Sequence, residues 1–119
     1  MDAVHTEIVS RLEALASPIR LGIFRLLVTH EPVGLVSGEI AEHLGQSHNS
    51  ISFHLKTLQY AGLVTVQRQG RFQRYRAAMP AVKALVTYLT ENCCQGVVSG
   101  GLGAPDNIAV ARPDRPPGL

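Results

Sequence analysis

The chain has 119 residues, of which 45% are hydrophobic and 17% charged, with two cysteines and a formal net charge of +2. This length predicts one domain with a modest core. No apolar run approaches the roughly 20 residues that span a membrane, and the first residues show no basic or apolar leader, so we expect a cytoplasmic protein without a membrane partner. Both cysteines are then expected to be reduced thiols that are available as ligands.

Charge is unevenly distributed along the chain. Residues 1–42 carry three arginines and six acidic residues, whereas residues 43–90 carry six basic residues and no acid. A concentrated basic block predicts a surface that binds nucleic acid. Because this block is modest in size, we expect a second copy of the chain to contribute to tight binding.

Two helices are predicted before the basic block. The first is amphipathic, with its apolar residues on one face. Ser17-Pro18 provides a cap followed by proline at the first helical position, and the second helix runs from Ile19 to about Thr29. This second helix is apolar on nearly all sides, which places it at the centre of the core. Glu31-Pro32 ends it, and residues 33–36 are predicted as a short extended link that pairs with a later hairpin.

Residues 37–61 are predicted to form two helices separated by a tight turn. Ser37 is expected to cap the first helix, and Gly45 to end it with a positive φ. Ser47 is expected to cap the second helix, which ends before Gly62. This second helix has a narrow apolar stripe that faces the core: Ile51, Leu55 and Leu58.

The other face of the second helix carries short hydrogen-bonding side chains instead of the Glu and Lys of an ordinary solvated helix. Two short helices around a glycine-containing turn are typical of a helix-turn-helix, whose second helix enters the DNA major groove. A helical hairpin in any small α protein would show the same pattern. The residues predicted to contact DNA in this segment are Gln46, Ser47, His48, Asn49, Ser50, Ser52, His54 and Lys56. His54 is also expected to pack or hydrogen-bond at the helix edge.

A basic hairpin is predicted after the helix-turn-helix, and it favours DNA binding over the plain helical hairpin. A strand begins at residues 63–66, and Gly70 is placed for a tight turn. Four arginines lie within nine residues, with no acid among them: Arg68, Arg71, Arg74 and Arg76. We expect this hairpin to be a wing whose arginines reach phosphates or the minor groove, with Arg68, Arg71 and Arg74 as DNA contacts.

A last helix is predicted from Met79-Pro80 to near Cys93-Cys94. Its apolar face and that of the first helix exceed the needs of one small core, so the two helices are predicted to form a homodimer interface. The interface residues are Ile8, Leu12, Leu15, Val82, Leu85, Val86 and Leu89. The predicted fold is mainly α (α+β), a winged helix-turn-helix with a two-stranded β wing. Residues 1–94 form its DNA-binding and dimerisation domain, and residues 95–119 a mobile tail rich in Gly and Pro.

Several segments resemble the ArsR/SmtB family, in the same order along the chain. They are Leu15–Leu21, Ile40–Leu44, Ser52–Leu58 and Ala61–Val64, with Arg68, Gly70-Arg71 and Tyr75 in the wing. The resemblance covers residues 8–92. It implies a winged-helix homodimer that represses transcription and leaves its operator when it binds a metal or metalloid.

The two best-known ligand sites of that family have no counterpart in this sequence. The Cys-x-Cys pair of the arsenic sensors would fall within residues 36–40, which contain no cysteine. The Asp and His of the zinc-sensing branch would fall within residues 81–86, which contain neither. Cys93-Cys94 resembles a variant arsenic-responsive branch with adjacent cysteines at the end of the last helix and a third cysteine shortly after them. Residues 95–103 supply no third thiol.

Adjacent thiols suit trivalent arsenic or antimony, which are thiophilic. Arsenite takes three sulfur ligands and methylated arsenic only two, so the missing thiol favours methylarsenite or a loosely held arsenite. Water, a buffer thiol, Ser99 or a partner's cysteine would complete the set. Because successive helical side chains diverge by about 100°, chelation is expected to unwind the last turn. Two small buried apolar side chains are the alternative role of Cys93 and Cys94.

The sequence therefore predicts a repressor that binds double-stranded operator DNA with an inverted repeat as a homodimer. It predicts release when Cys93 and Cys94 bind arsenic(III) or antimony(III), inorganic or methylated. The alternatives are a winged-helix regulator with a thiol-redox or non-metal effector, and a protein–protein interaction module. No enzyme, catalytic residue or catalytic cofactor is expected, since no histidine follows His54 and no phosphate loop or paired carboxylate appears. His5, His30 and His43 are expected at the surface, without a partner at metal-ligand spacing.

Overall fold

The computed structural model describes residues 1–96 of the chain. Of the predicted tail at residues 95–119, the part from residue 97 onward, which includes Ser99, lies outside the described residues. The chain divides into two units, Met1–Leu89 and Thr90–Leu119. None of the described helices is long and apolar enough to cross a membrane.

The described residues form five helices and three strands, which confirms the predicted winged helix-turn-helix. The elements are α1 Ala3–Leu15, α2 Pro18–Thr29, β1 Leu35–Val36, α3 Ser37–Leu44, α4 His48–Tyr60, β2 Val64–Gln69, β3 Phe72–Ala77 and α5 Met79–Thr90. The helix-turn-helix is the α3–α4 pair, and the wing is the β2–β3 hairpin. The basic residues of the block at 43–90 lie on α4, on the wing and on α5.

The three strands form one antiparallel sheet in the order β1-β3-β2. Tyr75 lies in the middle strand, opposite Leu35 of β1 and Val66 of β2. The extended link before α3 therefore pairs with the hairpin, as predicted. Gly70 has a φ of +61° in the two-residue turn between the wing strands, which is the role the sequence assigned to it.

The core lies between α2, the helix-turn-helix and the base of the wing. Its fully buried residues are Ile23, Leu27, Ile40, Ile51, Leu55, Leu58 and Leu63. The α2 helix is thus the central core helix, and the apolar stripe of α4 faces that core, as the spacing predicted. No polar or charged side chain among the described residues is fully buried.

Helix caps follow the sequence except at α3. Ser47 Oγ accepts from the backbone N–H of Ser50 (3.1 Å), so Ser47 caps α4 as expected. The prediction that Ser37 caps α3 is wrong, because Ser37 is the first helical residue and Val36 is the cap. Strand β1 runs directly into the helix, and the Glu39 carboxylate accepts from the Val36 N–H (2.9 Å) in place of a serine cap.

The last helix ends at Thr90, earlier than predicted, and residues 91–96 form turns. Asn92 has a φ of +62° and Cys94 a φ of +71°, and this left-handed backbone cannot continue a right-handed helix. Cys93 and Cys94 therefore follow the helix instead of forming its last turn. Chelation by these residues does not require a helical turn to unwind, so that expectation is corrected.

Fewer of the predicted interface residues are exposed than the sequence suggested. Ile8 and Leu85 are buried within the protomer and take part in its own packing. Leu12, Val86 and Leu89 remain exposed on α1 and α5. These exposed leucine and valine side chains are the apolar surface that a partner could cover.

Candidate nucleic-acid interface and thiol pair

The solvent side of α4 is a line of exposed residues opposite the buried stripe. This outer line of α4 consists of Asn49, Phe53, Lys56 and Tyr60. These positions recur at intervals of three and four residues, so they lie above one another on one helix face. Gln46, Ser47 and His48 are exposed at the start of the same helix, and Ser50 and Ser52 are half-buried. The polar end predicted for base contacts is thus accessible from solvent.

His54 lies on a different side of α4 from the outer line. Arg20 of α2 donates from Nη1 to Nδ1 of His54 (3.2 Å) and from Nε to the carbonyl oxygen of Ala14 (2.7 Å). Burial, and secondarily the charge of Arg20, lower the pKa of the His54 imidazole. The expected hydrogen bond at the helix edge is present, and it directs His54 toward α2 instead of the outer line.

An open cleft of about 420 Å³ separates the wing from the start of the helix-turn-helix. Arg68 and Arg71 of the wing line one side of it, and Ser37 and His48 line the other. A hydrogen bond of 2.9 Å joins Ser37 Oγ and His48 Nε2 across the start of the two helices. The fold therefore brings the two wing arginines and the first residue of α4 together around one basic cleft.

The other two wing arginines are engaged within the chain. Because side chains alternate along a strand, Arg74 and Arg76 lie on the sheet face opposite Arg68. Arg74 donates to the Gln69 side chain (2.8 Å) and to the Gly34 carbonyl (3.1 Å), so its guanidinium is partly occupied.

Arg76 departs from the expectation that each wing arginine reaches DNA. It forms a two-pronged ion pair with Glu31, at 2.7 and 3.2 Å. The hydrogen bond from Arg76 also lowers the pKa of the Glu31 carboxyl. A count of acids within the wing could not reveal this partner, which lies 45 residues earlier in the chain.

The two thiols lie in the turns after α5. Cys93 and Cys94 are both free and exposed, and their sulfur atoms are 2.8 Å apart. The alternative role as buried apolar side chains is therefore wrong. The hydrogen bond with Cys93, followed by the charge of that neighbour, raises the pKa of the Cys94 thiol. Among residues 1–96, no group of three or more His, Cys, Asp or Glu side chains is arranged to hold a metal ion.

Comparison with known proteins places this architecture in a family. A helix-turn-helix domain family matches residues 15–67. A probable mercury resistance operon repressor from Streptomyces lividans is 35% identical over 83 residues, which are 69% of this chain and 64% of that protein. The match thus spans less than two thirds of the curated relative.

Solved structures also resemble the chain over two thirds of its length or more. A possible transcriptional regulator for arsenical resistance is 34% identical, covering 67% of this chain and 80% of that one, with a TM-score of 0.58. An ArsR-like transcriptional regulator from Rhodococcus sp. RHA1 is 28% identical over 74% of this chain and 80% of that one, with a TM-score of 0.67. The chain belongs to the ArsR family of transcriptional regulators. Its relatives are regulators and not enzymes, in agreement with the sequence analysis.

One further solved structure, described as a possible ArsR-family transcriptional regulator, bears on assembly. The homodimeric winged helix-turn-helix DNA-binding domain of Mb0332 from Mycobacterium bovis is 28% identical. The match covers 74% of this chain and 86% of that one, with a TM-score of 0.59.

Two aromatic residues of this ArsR-family chain were missed at the sequence level. Phe53 and Tyr60 are both exposed, and both lie on the outer line of α4. The available signal was their position, since each falls off the spacing of the core stripe. A large apolar side chain off that stripe has to face solvent or a partner.

Three histidines of the ArsR-family fold have neighbours that the sequence did not indicate. His5 Nδ1 and the Tyr88 hydroxyl are 2.8 Å apart, which ties the start of α1 to α5. The rings of His30 and His43 meet edge to face, with centroids 5.6 Å apart. Sequence spacing could not predict this pair, because it joins the ends of two different helices.

Proposed function

We propose that this ArsR-family chain is a transcriptional repressor that binds double-stranded operator DNA as a homodimer. The main support for this proposal is the cleft in which Arg68 and Arg71 face the polar start of α4. With α4 in a major groove, the wing arginines on the other side of that cleft would contact the flanking phosphates. Residues 43–90 carry no acid that would oppose such contact.

An inverted repeat follows from a two-fold symmetric dimer. Exposed leucine and valine side chains on α1 and α5 support self-association through these helices. The Mycobacterium bovis neighbour, described as homodimeric, supports the same assembly. Two copies related by a two-fold axis would place two α4 helices on two equivalent half-sites.

Arg71→Ala tests the DNA-binding surface. Loss of one phosphate contact should weaken binding to every DNA sequence and reduce the slope of log affinity against log salt by about one unit. Arg76→Ala is a matched control. Because Arg76 is already paired with Glu31, its replacement should leave the salt slope nearly unchanged. Replacing Asn49 should alter base preference instead. Equal salt slopes for the wild type and Arg71→Ala would contradict the assignment.

We further propose that Cys93 and Cys94 bind arsenic(III) or antimony(III), inorganic or methylated, and that binding releases the operator. Exposure of both thiols and the 2.8 Å between their sulfur atoms support chelation of a single atom. Methylarsonous acid would exchange its two hydroxyl groups for two thiols, forming two As–S bonds and releasing two water molecules. This product needs no third thiol, and among residues 1–96 the chain offers none.

Mercury is the competing thiophilic effector, because one relative is a probable mercury resistance operon repressor. Mercury(II) with two thiolates prefers sulfurs on opposite sides of the metal. Two neighbouring residues whose sulfurs lie side by side fit the narrow S–As–S angle of pyramidal arsenic better. Zinc fits poorly, because its structural sites use four ligands.

Single substitutions Cys93→Ser and Cys94→Ser test the effector site. Each variant should bind the operator like the wild type and should no longer release it with methylarsenite, arsenite or antimonite. Mercury(II), zinc(II) and hydrogen peroxide serve as comparison arms, and release by peroxide alone would favour a thiol-redox regulator. If both variants still leave the DNA on adding arsenicals, the site lies elsewhere in the chain.

A further inference from the structure

Phe53 is a large apolar side chain without a place in the core. It is 64% exposed and lies in the second turn of α4, on the side opposite the buried stripe. Its neighbours on the outer line of α4 are Asn49, four residues earlier, and Lys56, three residues later. Its ring meets the adjacent His54 ring edge to face, with centroids 5.4 Å apart, which leaves most of the phenyl surface accessible.

The surroundings of Phe53 restrict the partner that could cover it. A lone exposed apolar residue needs no partner, but this one is flanked by an amide and an ammonium group within a block that carries no acid. Such a surface is complementary to a polyanion and not to an apolar protein face. On the duplex major groove, the apolar group presented to an α-helix is the C5-methyl of thymine.

We infer that Phe53 is a specificity-determining residue that recognises thymine through its methyl group. This inference rests on the proposed function, because it requires α4 to lie in the major groove. Asn49 would form hydrogen bonds to a base edge one turn earlier, and Lys56 would contact phosphate at the groove wall. Phe53 would then read A·T against G·C by shape and apolar contact, without a hydrogen bond.

Tyr60 provides a control from the same face of the same helix. It is 98% exposed and lies seven residues after Phe53, about 10 Å further along the helix axis. The N-terminal part of a recognition helix contacts the bases, so Tyr60 lies too far along α4 to reach them. Removing either ring leaves the buried stripe unchanged, so Phe53→Ala and Tyr60→Ala should both fold like the wild type.

The experiment begins by selecting operators from random duplex DNA with the full chain. Each thymine of the selected site is then replaced in turn by deoxyuridine, which removes only the methyl group and leaves the base pair intact. Affinities of the wild type, Phe53→Ala and Tyr60→Ala are measured on every substituted site. Thermal melting curves recorded by circular dichroism confirm that the three proteins are equally folded.

At one or more thymines per half-site, uracil should weaken wild-type binding about fourfold, the affinity equivalent of one buried methyl group. Phe53→Ala should be insensitive to the same replacement, whereas Tyr60→Ala should keep the wild-type sensitivity. An equal uracil effect in the wild type and Phe53→Ala, or none in either, would overturn the inference while leaving DNA binding intact. If the selection enriches no sequence, the proposed function fails as well.

Discussion

His54 shows how a single residue changes role when its surroundings are known. Arg20 donates to Nδ1 of His54, so the bonded imidazole is neutral and carries its proton on Nε2. Burial and the charge of Arg20 hold the pKa of this imidazole below its usual value of 6.5. Folding therefore favours the neutral ring, and the folded state binds fewer protons than the unfolded state in mildly acidic solution.

The pH dependence of stability follows from this shift. The contribution of His54 is fully present above about pH 6.5 and is lost as the pH falls toward the lower pKa of the folded state. Urea unfolding of the wild type should show this loss between pH 7.5 and pH 5.5, in addition to that of other groups. His54→Gln should flatten the profile over the same interval. Parallel profiles for the two proteins would contradict the role of Arg20 and burial at this site.

Several residue roles were predictable and others were not. Ile51, Leu55 and Leu58 were assigned to the core from spacing alone, because a helix presents residues three and four apart on one face. The ion pair of Arg76 with Glu31 depends on how the chain before β1 packs beside the wing, which no local pattern encodes. For the same reason the sequence analysis grouped Arg76 with Arg68 and Arg71 as a wing arginine that reaches DNA.

At the scale of elements, local chemistry determined most boundaries. Gly45 and Gly62 end α3 and α4 with positive φ values of +63° and +78°, as a residue without a Cβ allows. The prediction of where α3 starts was wrong, because a strand, and not a loop, leads into that helix. The end of α5 was misplaced because left-handed turns at Asn92 and Cys94 leave no mark on apolar periodicity.

Gly34 lies between α2 and β1, and its substitution tests how closely this segment packs against β3. A Cβ at Gly34 would collide with the backbone carbonyl of Tyr75, which lies in the middle strand between two partners and cannot move aside. Its φ of +80° adds strain for any other residue. Gly34→Ala should cost about 1–2 kcal/mol for the left-handed backbone and a further ~1–3 kcal/mol for overpacking.

Gly45→Ala is the matched control for Gly34→Ala. Its φ of +63° imposes a similar backbone strain, but nothing lies within 4 Å of the added Cβ. Chemical denaturation should therefore show a loss of only about 1–2 kcal/mol for Gly45→Ala. Equal destabilisation by the two variants would mean that β1 can separate from β3 without cost.

At the scale of the whole molecule, the apolar surface of the first unit exceeds what its core uses. Leu12 of α1 and Val86 and Leu89 of α5 remain exposed after the protomer has folded. The sequence showed that α1 and α5 carry too many apolar residues, but it could not separate those that pack within the protomer. Ile8 and Leu85 do so, and the exposed remainder is the surface proposed for the homodimer.

Leu89→Arg tests that surface without disturbing the protomer core. Leu89 is 60% exposed, so an arginine there should leave the stability of an isolated protomer nearly unchanged. In a two-fold symmetric interface each substitution acts twice, so losing two buried leucines should cost roughly 3–6 kcal/mol of dimer stability, beyond the penalty of burying charge. Sedimentation should then show monomers at micromolar concentration, and operator affinity should fall because only one half-site is held.

Leu21→Arg, on α2 and 44% exposed, is the matched control and should remain dimeric. A folded wild-type monomer at micromolar concentration, or a Leu89→Arg protein that still sediments as a dimer, would contradict an interface built from α1 and α5.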